Sequence, residues 1–178
     1  MLNVTRGSLR TPRLSLRRVQ VEDAEALWEA LRDPLVYAWI AREPPASPAA
    51  MRARLERITQ ELMPGRSDQW LNWTVWFDRE AIGIVEATVH LDRSVALGYM
   101  LSPTHWRRGF AREAVSAVLR ELFAKGATRI DATIDTGNTA SEALAHALGF
   151  TIVEARPLQR EHVWRLNPDS GAPPASPR

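Results

Sequence analysis

The chain contains no cysteine. Disulfides, thiolate metal sites and a cysteine nucleophile are thereby excluded. Lysine is almost as scarce. Of 23 basic residues only Lys125 is a lysine, and the rest are arginines, so the pI reaches about 9.6 at a net charge of only +2. These arginines are interspersed with 21 acids along the whole length, and no broad nucleic-acid face is expected. Long apolar stretches are missing too. The longest uncharged run, 94–106, has thirteen residues and includes Pro103, against the roughly 20 needed to cross a bilayer. Arg6, Arg10 and Arg13 interrupt any apolar region near the start, which is not the pattern of a secretory signal. A soluble cytoplasmic protein is the expectation, with no membrane partner. His90, His105, His146 and His162 lack metal-ligand spacing, and no metal site is expected.

What remains is an ordinary globular composition. With 178 residues, 45% hydrophobic and 25% charged, the chain can bury one core and is too apolar to be disordered throughout. Alternation over 13–17 predicts a first strand. A helix is expected from Asp23 to Leu31, with Leu27, Trp28 and Leu31 on one stripe and Asp33-Pro34 stopping it. After a proline-rich loop, Pro48 opens a second helix to about Leu62, ended by Pro64-Gly65. Three strands over 70–77, 81–91 and 94–101, joined by tight turns, predict an antiparallel meander. Trp70 and Trp76 share one face of the first of these, and Trp73 points to the other.

Residues 110–125 switch to the helical period, with Gly126 suited to the C-terminal cap. A strand over 129–134, a helix from the N-cap Asn138 to Leu148, and strands over 150–155 and 161–166 complete the pattern. Residues 1–166 read as a single domain. The stretch 167–178 holds four prolines and no large apolar residue, and a disordered tail is expected there. The fold class is α/β of the mixed α+β kind: a mostly antiparallel mixed sheet of about seven strands, flanked by about four helices.

The chemistry is concentrated between residues 97 and 114. A strand ends at Leu101, a short loop follows, and Gly109 stands just before a long amphipathic helix. The first N–H groups of a helix lack internal partners and lie at the positive end of its dipole, a geometry that binds phosphate. Gly109 would let a phosphate approach the backbone, and Ala111 keeps the next position small. Arg107, Arg108 and Arg112 add cationic donors around the same turn. The same residues also suit a loop that only caps a helix beneath solvated arginines. Neither Gly-Lys-Ser/Thr nor Gly-x-Gly-x-x-Gly occurs, so the nucleotide P-loop and the dinucleotide fingerprint are both excluded.

The run Trp106-Arg-Arg-Gly109-Phe110-Ala111-Arg-Glu-Ala114 resembles the pyrophosphate loop of the GNAT superfamily of acyl-CoA N-acyltransferases. It is most similar to the branch containing the ribosomal-protein N-terminal acetyltransferases. The superfamily pattern is Gln/Arg-x-x-Gly-x-Gly/Ala. Trp106 departs from its first position, where tryptophan is usual in that branch. A second block, Asn138-Thr-Ala-Ser141 followed by a helix and Gly149-Phe150, is similar to the family's Asn-x-x-Ser and Gly-Phe. A third is the opening Thr11-Pro-Arg-Leu-Ser-Leu-Arg17 leading to Glu22-Asp23-Ala24. Together they span about residues 10–166.

The resemblance implies a sheet splayed at its centre, with the pantetheine arm of acetyl-CoA in the gap. That arm would hydrogen-bond to backbone at Met100 and Leu101. The pyrophosphate would sit on N–H groups from Arg108 to Arg112, and Asn138 would contact the pantetheine as well as cap its helix. Many relatives pair through the sheet or the C-terminal strands, which leaves a homodimer open.

The implied reaction is transfer of an acetyl group from acetyl-CoA to a primary amine by direct attack in a ternary complex. An α-amino group, with a pKa of about 8, needs less help from a base than a lysine at about 10.4, so a protein N-terminus is one acceptor and a small amine another. A backbone N–H near Met100 is the candidate oxyanion donor.

Many members carry a leaving-group tyrosine where this chain has Ala145. The favoured branch places a serine at Ser141, which would stabilise the thiolate by hydrogen bonding or would simply suit a first helical turn. The glutamate some members carry on the strand before the loop is absent from 94–98. Glu86, in phase with Ile82 and Ile84, is the candidate base; it is either buried and pushed up in pKa, or paired with arginine or facing solvent. His90 shares its parity. The resemblance also implies that Trp28 and Trp39 would belong to a segment roofing the acceptor cleft and that the 43–47 loop would act as a specificity element. Ala145 and the missing strand glutamate keep a second reading open, a non-catalytic acyl-CoA-binding module.

Overall fold

The computed structural model describes residues 2–4, 7–59 and 67–168. The expected tail beyond residue 168 and the expected stop at Pro64-Gly65 lie outside the described residues; the second helix itself ends earlier than expected, at Ile58, where the Thr59 N–H closes on the Leu55 carbonyl as the C-cap. The elements run β1 (Leu9–Arg10), β2 (Leu14–Arg18), α1 (Ala24–Leu31), α2 (Pro48–Ile58), β3 (Gln69–Phe77), β4 (Glu80–Val89), β5 (Ser94–Leu101), α3 (Phe110–Ala124), β6 (Arg129–Asp135), α4 (Thr139–Ala147), β7 (Thr151–Arg156) and β8 (Glu161–Leu166). One eight-stranded sheet has the order β1-β2-β3-β4-β5-β6-β8-β7. All neighbours are antiparallel except β5 and β6, which are joined through α3 and run parallel. The sheet therefore has one strand more than the sequence predicts. The extra strand is β1, two residues long and pairing only with β2, too short for any alternation to register.

Local sequence explains the boundaries. Ser47 accepts from the Ala50 N–H and Pro48 sits at the first turn of α2. Asn138 accepts from the Ser141 N–H and so caps α4 as expected.

The two faces of the sheet carry separate cores. One, under α3 and α4, gathers Leu16, Leu71, Trp73, Val75, Val85, Val115, Val118, Leu119 and Leu122. The other, under α1 and α2, gathers Leu27, Leu31, Tyr37, Met51, Leu55, Ile84 and Met100. Trp73 is fully buried in the first core, while Arg17 stacks at 4.3 Å on Trp76, so the tryptophans of β3 divide as their parity requires. One parity expectation fails. Val75 pairs with Gly83 and Trp76 with Ala81, which leaves Ile82 as an extra residue in a bulge. Ile82 packs in the first core and Ile84 in the second, so Glu86 is in phase with Ile84 alone.

The opening segment is tied to the start of α3. Thr11 Oγ1 donates to Glu113 at 2.6 Å, the Arg13 N–H at 2.9 Å and Arg13 Nε at 2.7 Å. Glu113, buried in the first turn of α3, is thus held from residues a hundred positions away. Burial works to raise its carboxyl, but the hydrogen bonds from Thr11 and Arg13 and the nearby Arg13 charge outweigh that and hold it below its ordinary value.

Two outcomes are expected. A side chain at Gly83 would collide with the Met100 carbonyl and lie 2.9 Å from the Leu101 Cα. Gly83→Ala should therefore cost about 1–3 kcal/mol, lowering the melting temperature by roughly 2–4 °C per kcal/mol; circular dichroism on heating measures it, and an unchanged midpoint contradicts so close an approach. For Glu113, a depressed folded pKa gives stability that is full above the ordinary glutamate value of about 4.3 and is lost as pH falls through the folded one. Glu113→Gln should lower stability near pH 7 by about 2 kcal/mol, and urea titrations of parent and variant should converge in acid.

Candidate active site

The divergence of two central strands makes the site. β5 and β6 pair only at Ser94–Arg129, Val95–Ile130 and Ala96–Asp131. From Leu97 onward β5 keeps its partner β4 but leaves β6, which continues along β8. A wedge-shaped gap opens between them, edged by backbone that has no strand partner.

Alternation decides which groups face that gap. The Ser102 N–H donates to the Ile82 carbonyl on β4, so the polar groups of Met100, two residues back, face β4 as well. Those of Tyr99 and Leu101 face the gap. Trp106 Nε1 donates to the Leu101 carbonyl at 2.8 Å, which leaves the Leu101 N–H as the open donor at the wide end. Trp106, which departs from the superfamily pattern but is usual in the favoured branch, closes the strand end against the loop with its indole.

The loop from Trp106 to Phe110 delivers α3 to the mouth of the gap. Gly109 is the N-cap, with φ of 79°, and no side chain caps the helix. That left-handed backbone, which L side chains adopt at a cost, favours glycine. Arg107 is left-handed too, at φ of 57°. The first N–H groups of α3 therefore open outward in a concave turn suited to an anion.

Beneath the turn lies an aromatic base. Phe77 and Phe110 stack at 4.9 Å, with His105 6.0 Å from Phe110. Arg108 lies 4.8 Å from the Phe110 ring centre, and Arg13 lies 4.5 Å from it while donating to the Arg108 carbonyl. Phe110 is buried, so only its backbone can meet a ligand. Arg107 and Arg112 keep exposed guanidinium groups that have no partner among the described residues. The turn is thus cationic, formed and open.

Across the gap, Ser141 lies in the first turn of α4. Its Oγ accepts a hydrogen bond of 2.8 Å from the Tyr99 hydroxyl on β5. Tyr99 was not singled out in the sequence, because 42 positions separate the two residues. Burial pushes the Tyr99 hydroxyl up in pKa, opposed by the Ser141 contact, so it stays protonated. The Asn138 Oδ1 is committed to capping, and its amide nitrogen remains. Ala145 is buried in the core, with no polar group to offer.

On the opposite face, Glu86 is paired. Arg54 Nη2 donates to its Oε1 at 2.6 Å, and Arg42 lies 3.5 Å from Oε2. Of the two environments the sequence allowed, this is the arginine-paired one, not the unpaired buried carboxylate from which the base role was argued. Arg54, only 7% exposed, comes from α2, and Arg42 also lies 3.3 Å from the Met100 sulfur. Tyr37 is buried beside them; desolvation raises its hydroxyl, and Arg54 and Arg42 oppose that. Trp39 of the same roof packs against Gly137, where any side chain would strike its ring. His90 is elsewhere, bonded to Asp68 at 3.1 Å. Among the described residues no cluster of three or more His, Asp or Glu is arranged to hold a metal, and no helix is long and apolar enough to cross a membrane.

The comparisons with known proteins agree with this architecture. The family described as acetyltransferase (GNAT) domain matches residues 13–151. N-acetyltransferase YoaA of Bacillus subtilis (strain 168) is 31% identical over 145 residues, which cover 80% of this chain and 81% of the relative. N-acetyltransferase p20 of Bacillus licheniformis is 29% identical over 147 residues, 80% and 82% of the two chains. Among solved structures, the Salmonella typhimurium acetyltransferase that modifies the N-terminal serine of ribosomal protein L7/L12 superposes with a TM-score of 0.80 at 14% identity, covering 91% of this chain and 99% of that one. Mycobacterium smegmatis RimJ, in complex with CoA-disulfide, superposes with a TM-score of 0.76 at 22% identity, covering 92% and 87%. These two likenesses establish the fold. With the splayed sheet, the open glycine turn and the match over most of its length, the chain belongs to the GNAT acetyltransferase family and is an acyltransferase.

Proposed function

We propose that the protein moves an acetyl group from acetyl-CoA to a primary amine by direct attack in a ternary complex. One observation carries the reading: the uncapped, glycine-initiated end of α3 opens at the wide end of the gap between β5 and β6. A diphosphate fits the turn through the N–H groups from Arg108 to Arg112, aided by the free cations of Arg107 and Arg112. An extended amide chain fits the gap through the Leu101 N–H, the Tyr99 carbonyl and the Asn138 side chain.

Acetyl-CoA supplies an activated acyl group as its thioester. The residues of this chain do the rest. The Tyr99 N–H, next to the Met100 position the sequence suggested and deeper in the gap than Leu101, is the donor for the developing oxyanion. Ser141 donates to the departing sulfur, from the first turn of a helix whose dipole favours negative charge.

The amine approaches from the α1–α2 face, where Glu86 is the acidic group. Arg54 and Arg42 hold the Glu86 side chain in place. It receives the N–H of the acceptor and takes its proton, directly or through water. An acceptor with a pKa of about 8, such as a protein N-terminus, loses that proton more readily than a lysine. The low-identity likeness to the L7/L12-modifying enzyme makes such termini the first acceptors to try, with small amines beside them.

Thiol release from acetyl-CoA with a panel of amines and N-terminal peptides tests the reading. Turnover is expected with at least one acceptor. Tight coenzyme A binding with no turnover on any would return the chain to the non-catalytic binding module. Gly109→Glu, which sets a like charge in the turn and strains its backbone, should weaken coenzyme A at least about tenfold by calorimetry; unaltered affinity would remove the turn from the site. Glu86→Gln should lower turnover about tenfold or more, and an unchanged pH–rate profile in that variant would exclude it as the proton acceptor.

A further inference from the structure

The hydrogen bond between Tyr99 and Ser141 joins the two sides of the split sheet. Tyr99 belongs to β5, on one bank of the gap, and Ser141 to α4, which follows β6 on the other. The direction of the bond matters. A phenol oxygen shares its lone pairs with the ring, so it donates well and accepts poorly, whereas a serine oxygen accepts well. With the Tyr99 proton bound to Ser141 Oγ at 2.8 Å, the serine keeps its own proton for a further acceptor. The Ser141 backbone is fixed as well, since its N–H is bonded to the capping Asn138. Hydrogen bonds in a chain polarise one another, so a hydroxyl that accepts from a phenol is itself a stronger donor. Ala145, where many relatives hold a tyrosine, offers nothing to this side of the gap.

We propose that Tyr99 is a positioning residue that acts through Ser141: its hydroxyl donates to Ser141 Oγ and thereby aims the Ser141 proton at the sulfur that departs with coenzyme A. This rests on the acetyltransferase reading above. The tyrosine is half-buried and its hydroxyl is pushed up in pKa by desolvation, and no proton need leave it. It orients and strengthens one donor, replacing by two hydroxyls on separate elements what a single phenol on α4 would supply. Chain length alone could not bring Ser141 to this state, because a lone serine hydroxyl rotates among several acceptors.

The test uses the intact protein and two readouts. In the first, coenzyme A is bound and its thiol is titrated by the ultraviolet absorbance of the thiolate. The thiol of free coenzyme A, titrated in the same buffer, is the reference, and the parent should lower that value. Tyr99→Phe should return it by about half a unit or more toward the free value. In the second, Tyr99→Phe should reduce kcat about tenfold while the KM for acetyl-CoA stays within about twofold.

Ser141→Ala should do at least as much, and the double variant should be no worse than Ser141→Ala alone, because the tyrosine acts only through the serine. Losses that multiply, a loss confined to KM, or a thiol titration unmoved by Tyr99→Phe would each overturn the proposal. Melting temperatures report folding, and Tyr99→Met repeats the measurement with a different hydroxyl-free side chain. If neither variant folds, the hydroxyl is structural and the proposal fails. If the parent binds coenzyme A without turnover, the acetyltransferase reading fails by itself, while the titration still decides whether Tyr99 acts on the thiol.

Discussion

Everything in the site depends on a sheet that stops being a sheet. Strand pairing satisfies backbone N–H and C=O groups, and buried groups left unpaired are costly. β5 and β6 nevertheless separate after three residue pairs. The fold contains the cost by several devices. Trp106 fills the Leu101 carbonyl, β6 turns to β8 for its remaining bonds, and Tyr99 bridges the opening at its Ser141 end. What stays open is a short row of backbone groups beside the start of α3. The crossover explains why these meet. A parallel pair joined by a helix brings that helix's N-terminus to the carboxyl end of its first strand, where ligands of α/β sheets gather.

The plane of the sheet then separates two tasks. Along β5, Leu97, Tyr99 and Leu101 face the core under α3 and α4, and Met100 faces the one under α1 and α2. Neighbouring residues of one strand thus serve different partners. Groups fitted to an anion and a thiol lie at the gap and α4; the ion-paired carboxylate lies under the α2 roof. The bulge at Ile82 and the absence of a side chain at Gly83 let β4 and β5 draw together where the division is sharpest. A regular strand would carry Ile82 to the same face as Ile84 and take an apolar residue out of the main core.

Much of this was legible because it is local. The helical period of 110–125, the meander turns, Asn138 as a cap and Gly109 before α3 are all set by residues within a few positions of one another. The order of elements followed from them. Long-range contacts were not legible. Nothing near Glu113 marks it as the partner of Thr11 and Arg13, and nothing near Glu86 selects Arg54 from so many arginines. Tyr99 looked like one more apolar position of a strand. The bulge left no trace in alternation, since Ile82, Ile84 and Glu86 read as a regular series. A sharper reading could have asked what the Glu of the Arg-Glu-Ala stretch does in a first helical turn, where a carboxylate suits the dipole but has no reason to be buried.

That buried carboxylate bears on how the site binds. An exposed turn left to itself would sample many shapes, and a ligand would have to order it, which weakens affinity. Here the turn is held from three sides. Glu113 fixes the first turn of α3 to Thr11 and Arg13, Arg13 reaches on to the Arg108 carbonyl, and Arg108 lies over Phe77 and Phe110. Arginine suits this work better than lysine, because its flat guanidinium can stack on a ring and donate in its own plane at once. Two of the cations near the turn thus serve its shape, while Arg107 and Arg112 stay exposed, without a partner among the described residues. The turn is formed before anything enters it, so on the proposed reading the free energy of phosphate contacts would go into affinity rather than into forming the loop.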